Sequence, residues 1–424
     1  MNRVLFFSRF YYILFGIALL SIPFTKLFYF FITPLLLLLW IIEGNWNTKW
    51  NRLKDSHTLI ISCCFVLFWF MNVIGLFYSN DLVRGVMRTY DKLPFLVYPL
   101  VFFTLNKTYF TQKKIYALIK GFIYATAISL MISWGQAFVQ YFITGNTYFF
   151  YYIHFSKYFG HPSYCALIVC IAFALAFYIF NNPIQPHSSA LSLHIPHRWF
   201  WIALFFFFAI SIYFFQSRSG FITFVFVLFG TIFYYLHTHK KSYWYGVIGM
   251  LIVLLFAAAI TKWFPNRIEE SINKINTKQL QVKNMVGSRS EIWDITWKLA
   301  VKNKMLGIGT GYHTESYLTG DELIFFETHH SFINAHNQFL QTFLEHGIFA
   351  LFLLSFLIIY SFYFAIKTKN ELLLMLMSCI LINILFESMF ERGHGIFIFN
   401  LFYCLFLANN IILQTTTKEI IKIY

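Results

Sequence analysis

INAHNQFLQTFLEHGIFALFLL, residues 333–354, passes from polar side chains into an unbroken apolar run. His336, Phe339, Leu340, Phe343 and Leu344 recur at helical spacing, so the segment reads as a helix entering an apolar medium. Continued from 336 to 366, that helix would be about 46 Å long at ~1.5 Å per residue, more than the ~30 Å hydrocarbon core of a bilayer. Its first turns must then stand in the interface, which places His336 at the membrane surface. The whole composition agrees: 59% hydrophobic, 22% aromatic and 12% charged residues, with a mean hydropathy of +0.63, exclude a soluble globular domain.

About twelve apolar stretches approach the ~20 residues that a spanning helix needs: near 4–22, 27–42, 58–78, 93–105, 115–141, 162–180, 199–215, 220–236, 244–261, 346–366, 371–389 and 395–413. The expected fold is all-α and polytopic, with transmembrane helices 1–9 in residues 1–261, an outer loop over 262–345, and helices 10–12 with a short tail in 346–424. The six cysteines all fall inside these stretches with no spacing that suggests a disulfide or metal framework, and read as small core residues.

Lysine and arginine in short loops set the orientation. With the amino terminus in the cytoplasm, fifteen lie inside (Arg3, Arg9, Lys49, Arg52, Lys54, Lys107, Lys113, Lys114, Arg198, Lys240, Lys241, Lys367, Lys369, Lys418 and Lys422) and seven outside (Lys26, Arg84, Arg88, Lys92, Lys157, Arg218 and Arg392). Both termini are then cytoplasmic and the long loop is external. The outer cations need a reason to be there. Lys26, Lys92 and Lys157 are explained by snorkelling or by pairing with Asp81, Asp91 or Glu391. Arg218, in the polar break of FFQSRSGFITF, is not: a turn at Gly220 accounts for the break but not for a guanidinium at membrane depth.

Within the long loop, GSRSEIWDITWKLAVKNKMLGIGTG predicts a helix of about four turns from near Arg289 to near Asn303, opened by a Ser288/Glu291 capping box. Its first-turn N–H groups beside Arg289 would suit phosphate, but without a partner motif a solvated arginine on a surface helix is the preferred reading of these residues alone. GIGTG, 307–311, lacks the strand and helix of a dinucleotide loop and reads as a flexible turn closing this helix. His313, His329, His330 and His336 show no tight metal-ligand spacing, so no metal is expected. Glu387 is the one acid well inside an apolar stretch, which lends carboxylate catalysis little support. What remains outside is a cationic set of Arg84, Arg88, His161, Arg218, Arg289, His336 and Arg392, suited to an anionic lipid-linked substrate, a diphosphate above all.

The loop sequence followed by AHNQFLQTFLEHGIFALFLL is similar to the signature of the O-antigen ligase and polymerase superfamily, and QSRSG adds to the likeness. FGHPSYCAL matches more loosely, since His161 stands in a motif that often reads Asn-Pro-Asn. The signature covers roughly 200–360. The resemblance implies a GT-C-like bundle of about a dozen spans with one large periplasmic loop, which itself contains helices, in the bacterial inner membrane. It implies transfer of a glycan from undecaprenyl diphosphate to a hydroxyl at the periplasmic face, without nucleotide, metal or other cofactor, and no nucleic-acid partner. Arg218 and Arg289 would hold the diphosphate, and His336 would take the acceptor's proton, with inversion at the anomeric carbon. Arg84, Arg88, His161, Asn337 and Arg392 are further candidates for substrate contact.

Three acceptors stay open: lipid A-core, the growing glycan, or a protein hydroxyl. Lipid A-core is slightly preferred, and the short carboxy-terminal tail disfavours the larger protein-glycosylating members. A twelve-span transporter is the remote alternative, but transporters usually show internal repeats, broken helices and buried ion-coupling acids, whereas this chain has one lopsided outer loop and almost no buried acid.

Overall fold

A computed structural model describes residues 3–25, 28–54, 56–182, 198–238, 289–312 and 334–421. The expected ninth span, the capping box at Ser288, and His313, His329 and His330 lie outside the described residues. Those that are described form helices joined by turns, with no strand among them. In lipid this is the only open architecture that satisfies every backbone group internally.

The helices are α1 (Arg3–Ser21), α2 (Phe28–Glu43), α3 (Trp46–Leu53), α4 (Ser56–Ile74), α5 (Leu82–Asp91), α6 (Pro94–Thr104), α7 (Gln112–Thr144), α8 (Tyr152–Phe155), α9 (Pro162–Asn181), α10 (Arg198–Phe215), α11 (Arg218–Thr238), α12 (Arg289–Lys302), α13 (Gln338–Lys367), α14 (Glu371–Phe386) and α15 (Gly393–Ile421). Each apolar stretch within the described residues is helical, but not each is long enough to cross a membrane. Seven described helices are, or eight if the bent pair α2 and α3 is one span. That pair turns by 115° at Gly44 and Asn45, both at positive φ, and Lys49 locks the corner on Glu43 at 2.8 Å. With 11 residues, α6 reaches only about 16 Å, half the hydrocarbon core.

The central helix is α9, which packs against α7, α10, α11 and α14. Its small residues Ala166, Ala172, Ala174 and Ala176 are all buried and admit close neighbours, the usual device where lipid provides no hydrophobic drive between helices. A second layer of packed rings joins α4, α6 and α15, with Phe65 stacked on Phe399 at 5.5 Å and Phe95 tilted against Phe399 at 5.9 Å.

The continuous helix expected over 336–366 is broken. Gly347 has φ 73° and ψ −168° inside α13, and the chain leaving α12 fills the break. Ile308 N donates to Leu344 O at 2.9 Å, Gly309 N to Glu345 O at 3.0 Å, and Ile348 N to Lys304 O at 2.8 Å. A Cβ at Gly347 would strike Met305 O, and one at Gly307 would strike the Glu345 carbonyl. The GIGTG segment is therefore no flexible turn. It is a packed wedge whose glycines let two backbones meet, and it fixes α12 to the membrane bundle.

Candidate functional site

α12 forms over Arg289–Lys302 as its sequence predicts, placing Arg289 at its first position. The segment before α13 is held by two asparagines. Asn334 Oδ1 accepts from His336 N at 3.0 Å, and Asn337 Oδ1 caps the helix by accepting from Leu340 N at 3.0 Å. Between them His336 takes φ 47°, a left-handed conformation that costs roughly 1–3 kcal/mol and that clusters at functional sites. His336 is thus not the first residue of a helix, as expected, but the residue before the cap. Asn337 is committed to structure, since its Nδ2 also donates to Leu385 O at 3.1 Å.

That last bond draws the end of α14 to the start of α13, and with it Glu387. The carboxylate is the C-cap of α14 rather than a residue inside a span. Its Oε2 lies 3.1 Å from His336 Nδ1, and its Oε1 lies 3.3 Å from Arg289 Nη2 and 3.3 Å from Ser163 Oγ. Burial works against ionisation here, but the hydrogen bond from His336 and the charges of His336, Arg289 and His161 outweigh it and hold the carboxyl below its usual range. An ionised Glu387 accepts the Nδ1 proton, which leaves Nε2 of a neutral imidazole with its lone pair.

Ser217, the residue before Arg218, joins the same site through hydroxyls. Ser217 Oγ donates to Ser163 Oγ at 3.3 Å, and Ser163 donates on to Glu387. The turn at this point is made by Gln216, at φ 47°, and not by Gly220. Gly220 lies inside α11, where a Cβ would collide with Ala166 of α9, so its role is close packing that seats the start of α11. Arg218 itself is exposed as the first residue of α11. His161 caps α9, accepting from Ser163 N at 3.4 Å. The chain therefore gathers His336, Arg289 and His161 around Glu387, with Arg218 next in sequence to the serine that begins the hydroxyl relay to it. Sequence reasoning set Glu387 aside, although an acid at the edge of an apolar stretch was the available signal.

The other expected cations lie elsewhere. Arg88 donates to the Glu391 carbonyl, and Arg84 and Arg88 line a cavity shared with Glu345 and Glu391. Behind it Lys92, only 1% exposed, bridges Glu391 at 2.8 Å and Glu345 at 3.4 Å. Its pairing with Glu391 was expected, but it is buried and does not snorkel. Burial and then the Glu345 carboxylate push the Glu391 carboxyl above its usual range, against Lys92 and Arg88. Arg392 follows Glu391 and is exposed. Among the described residues no three His, Cys, Asp or Glu side chains are grouped to hold a metal.

Comparison with known proteins gives one family match: the model described as O-antigen ligase fits residues 203–355. No curated protein matches the chain. The fit spans Arg218, Arg289 and His336 and stops short of Glu387. Over this segment the chain is similar to the O-antigen ligase family.

Proposed function

We propose that the protein is an O-antigen ligase-type glycosyltransferase of the bacterial inner membrane, moving a glycan from undecaprenyl diphosphate to an acceptor hydroxyl on lipid A-core at the periplasmic face. The observation that carries the reading is the Glu387 carboxylate, which holds His336 and Arg289 at once.

In this mechanism His336 Nε2 takes the acceptor hydroxyl proton while that oxygen attacks the anomeric carbon. The bond from the anomeric carbon to the diphosphate oxygen breaks, and undecaprenyl diphosphate leaves with the electron pair. Its growing charge is met by Arg289 and Arg218, whose planar forks grip phosphate oxygens in the role a metal plays elsewhere. A single displacement inverts the anomeric carbon. Glu387 fixes the imidazole tautomer and balances the imidazolium that forms. Arg289 spends one N–H on Glu387 and keeps the rest of its five donors for phosphate.

The test is a transfer assay with purified protein in nanodiscs, a synthetic undecaprenyl-diphosphate-linked glycan and a rough lipopolysaccharide acceptor. Glycosylated acceptor and free undecaprenyl diphosphate should appear together. Elongation of the donor glycan without acceptor would instead mark a polymerase, and a glycosylated protein a protein oligosaccharyltransferase. Movement of intact donor across the bilayer with no bond broken would mark a carrier.

A further inference from the structure

We propose that α5 lies flat in the membrane interface, at the end of the bundle that holds His336, with one side seated in lipid. The inference goes beyond the transferase reading and does not depend on it. Leu82, Val83, Val86, Met87 and Tyr90 recur at helical spacing and form one apolar side of this helix. All five are exposed, Val83 to 71% and Met87 to 65%. The opposite side, with Gly85 and Thr89, is buried, and the half-buried Arg84 and Arg88 flank it. A helix with an apolar row on one side and cations on the other is the pattern of a segment that lies in the headgroup region with its apolar side ~5–10 Å deep.

The position of α5 in the chain points to lipid as the partner. α4 is long and apolar enough to span, and through the turn at Gly75–Tyr78 it leads directly into α5. The exposed Leu67, Phe70 and Ile74 of α4 make a stripe that continues through Phe77, 87% exposed, onto the α5 row. At the far end of that row, the Tyr90 ring stacks on Phe30 of α2 at 6.2 Å, and its hydroxyl donates to Phe30 O at 3.1 Å. Phe31, next to it, is exposed. The row is thus continuous with the outward faces of membrane helices at both ends, and none of its residues is charged. A patch of this kind facing water would be a liability. With 10 residues, α5 is only about 15 Å long and cannot cross the bilayer itself.

The buried side of α5 is packed on the segment that follows α12. Thr310 N donates to Gly75 O at 3.2 Å, and Thr310 Oγ1 to Asn72 O at 2.7 Å. The Tyr78 hydroxyl donates to Leu306 O at 2.6 Å. Gly311 lies on Gly85 so closely that a Cβ would meet Gly85 N. The helix that meets lipid and the helix that carries Arg289 therefore belong to one packed unit.

The experiment uses the full chain in nanodiscs in a Cys63→Ala background, because Cys63 is exposed and the other five cysteines are buried. Single nitroxide labels at Val83 and Met87 are compared with one at Leu67, on the spanning helix α4, and one at Asp294, exposed on α12. Paramagnetic resonance then measures collisions with O2, which concentrates in lipid, and with a water-soluble nickel chelate. At Val83 and Met87 the ratio of O2 to nickel collisions should be several-fold above the Asp294 value. A ratio equal to that of Asp294 would put the row in water, and few collisions with either reagent would put it under protein; either overturns the proposal. As a second measurement, a benzophenone amino acid at Met87 should crosslink to phospholipid. An adduct with a second copy or with another segment of the chain would overturn the proposal, and no outcome bears on the transferase reading.

Discussion

His336 and Glu387 stand 51 positions apart in the chain, yet imidazole Nδ1 and carboxylate Oε2 lie 3.1 Å apart. The contact exists because Asn337 ties the start of α13 to Leu385 at the end of α14, and because His336 accepts a left-handed backbone to reach across. A strained histidine held on a buried-edge carboxylate is a costly arrangement for a merely structural residue.

Glu387→Gln keeps the shape of the carboxylate but not its charge. Turnover should fall about 10²-fold, within the range of lost acid–base assistance, with donor binding retained. Stability carries a second readout. The native carboxyl lies below its usual range, so its stabilising contribution is complete above the unfolded value of ~4.3 and is lost as pH falls through the lower native value. The melting-temperature gap between wild type and Glu387→Gln should therefore close as the pH falls through the native carboxyl value, below about pH 4. A gap that persists unchanged in strong acid would contradict an ionised Glu387.

The arginines should not tolerate lysine. Arg289→Lys and Arg218→Lys keep a charge but lose the fork, and each should lower turnover about 10²–10³-fold, the cost of removing one preorganised transition-state donor. Arg289→Lys should also weaken the pH-dependent gap just described, since Arg289 faces Glu387, whereas Arg218→Lys should leave it alone. Wild-type turnover in either variant would make that arginine a surface residue.

Lys92→Met should act on folding rather than on chemistry. It strips the shared cation from two buried carboxylates, and breaking such a buried group typically costs 3–5 kcal/mol. Loss of monodisperse protein after detergent extraction is the expected result. Unchanged thermal stability would show that water or Arg88 already neutralises the pair.

The helical, membrane-embedded class and the boundaries of α12 were legible because both rest on periodicity and composition. The break at Gly347 was not. A single glycine within an apolar run carries no visible sign that another chain segment will complete its backbone hydrogen bonds. For the site, Arg218, Arg289 and His336 stood out as ionisable groups at polar breaks. Glu387 did not, because its meaning depends on where α14 ends, and apolarity alone ran that stretch on to 389. Asn337, a candidate for substrate contact, is also a cap and a strut, roles that depend on where α14 ends. The Lys92 cluster needed three remote positions to be brought together, which no local pattern reveals.

Topology is open to direct labelling. A cysteine placed at Gln281 should react with an impermeant maleimide in intact cells, and one placed at Asn51 should react only after permeabilisation. The reverse pattern would put the site on the cytoplasmic face and exclude a periplasmic acceptor.

The most direct test of the account is the turnover of His336→Ala and His336→Gln in the nanodisc transfer assay, run with excess EDTA to exclude a required metal. The account predicts wild-type transfer that survives EDTA, a loss of about 10²–10⁴-fold in both variants, and donor binding that persists in each. Near wild-type turnover in His336→Gln would leave the residue an orienting group and remove the general base from the mechanism. Activity abolished by EDTA and restored by Mg²⁺ or Mn²⁺ would contradict the use of arginine in place of a metal.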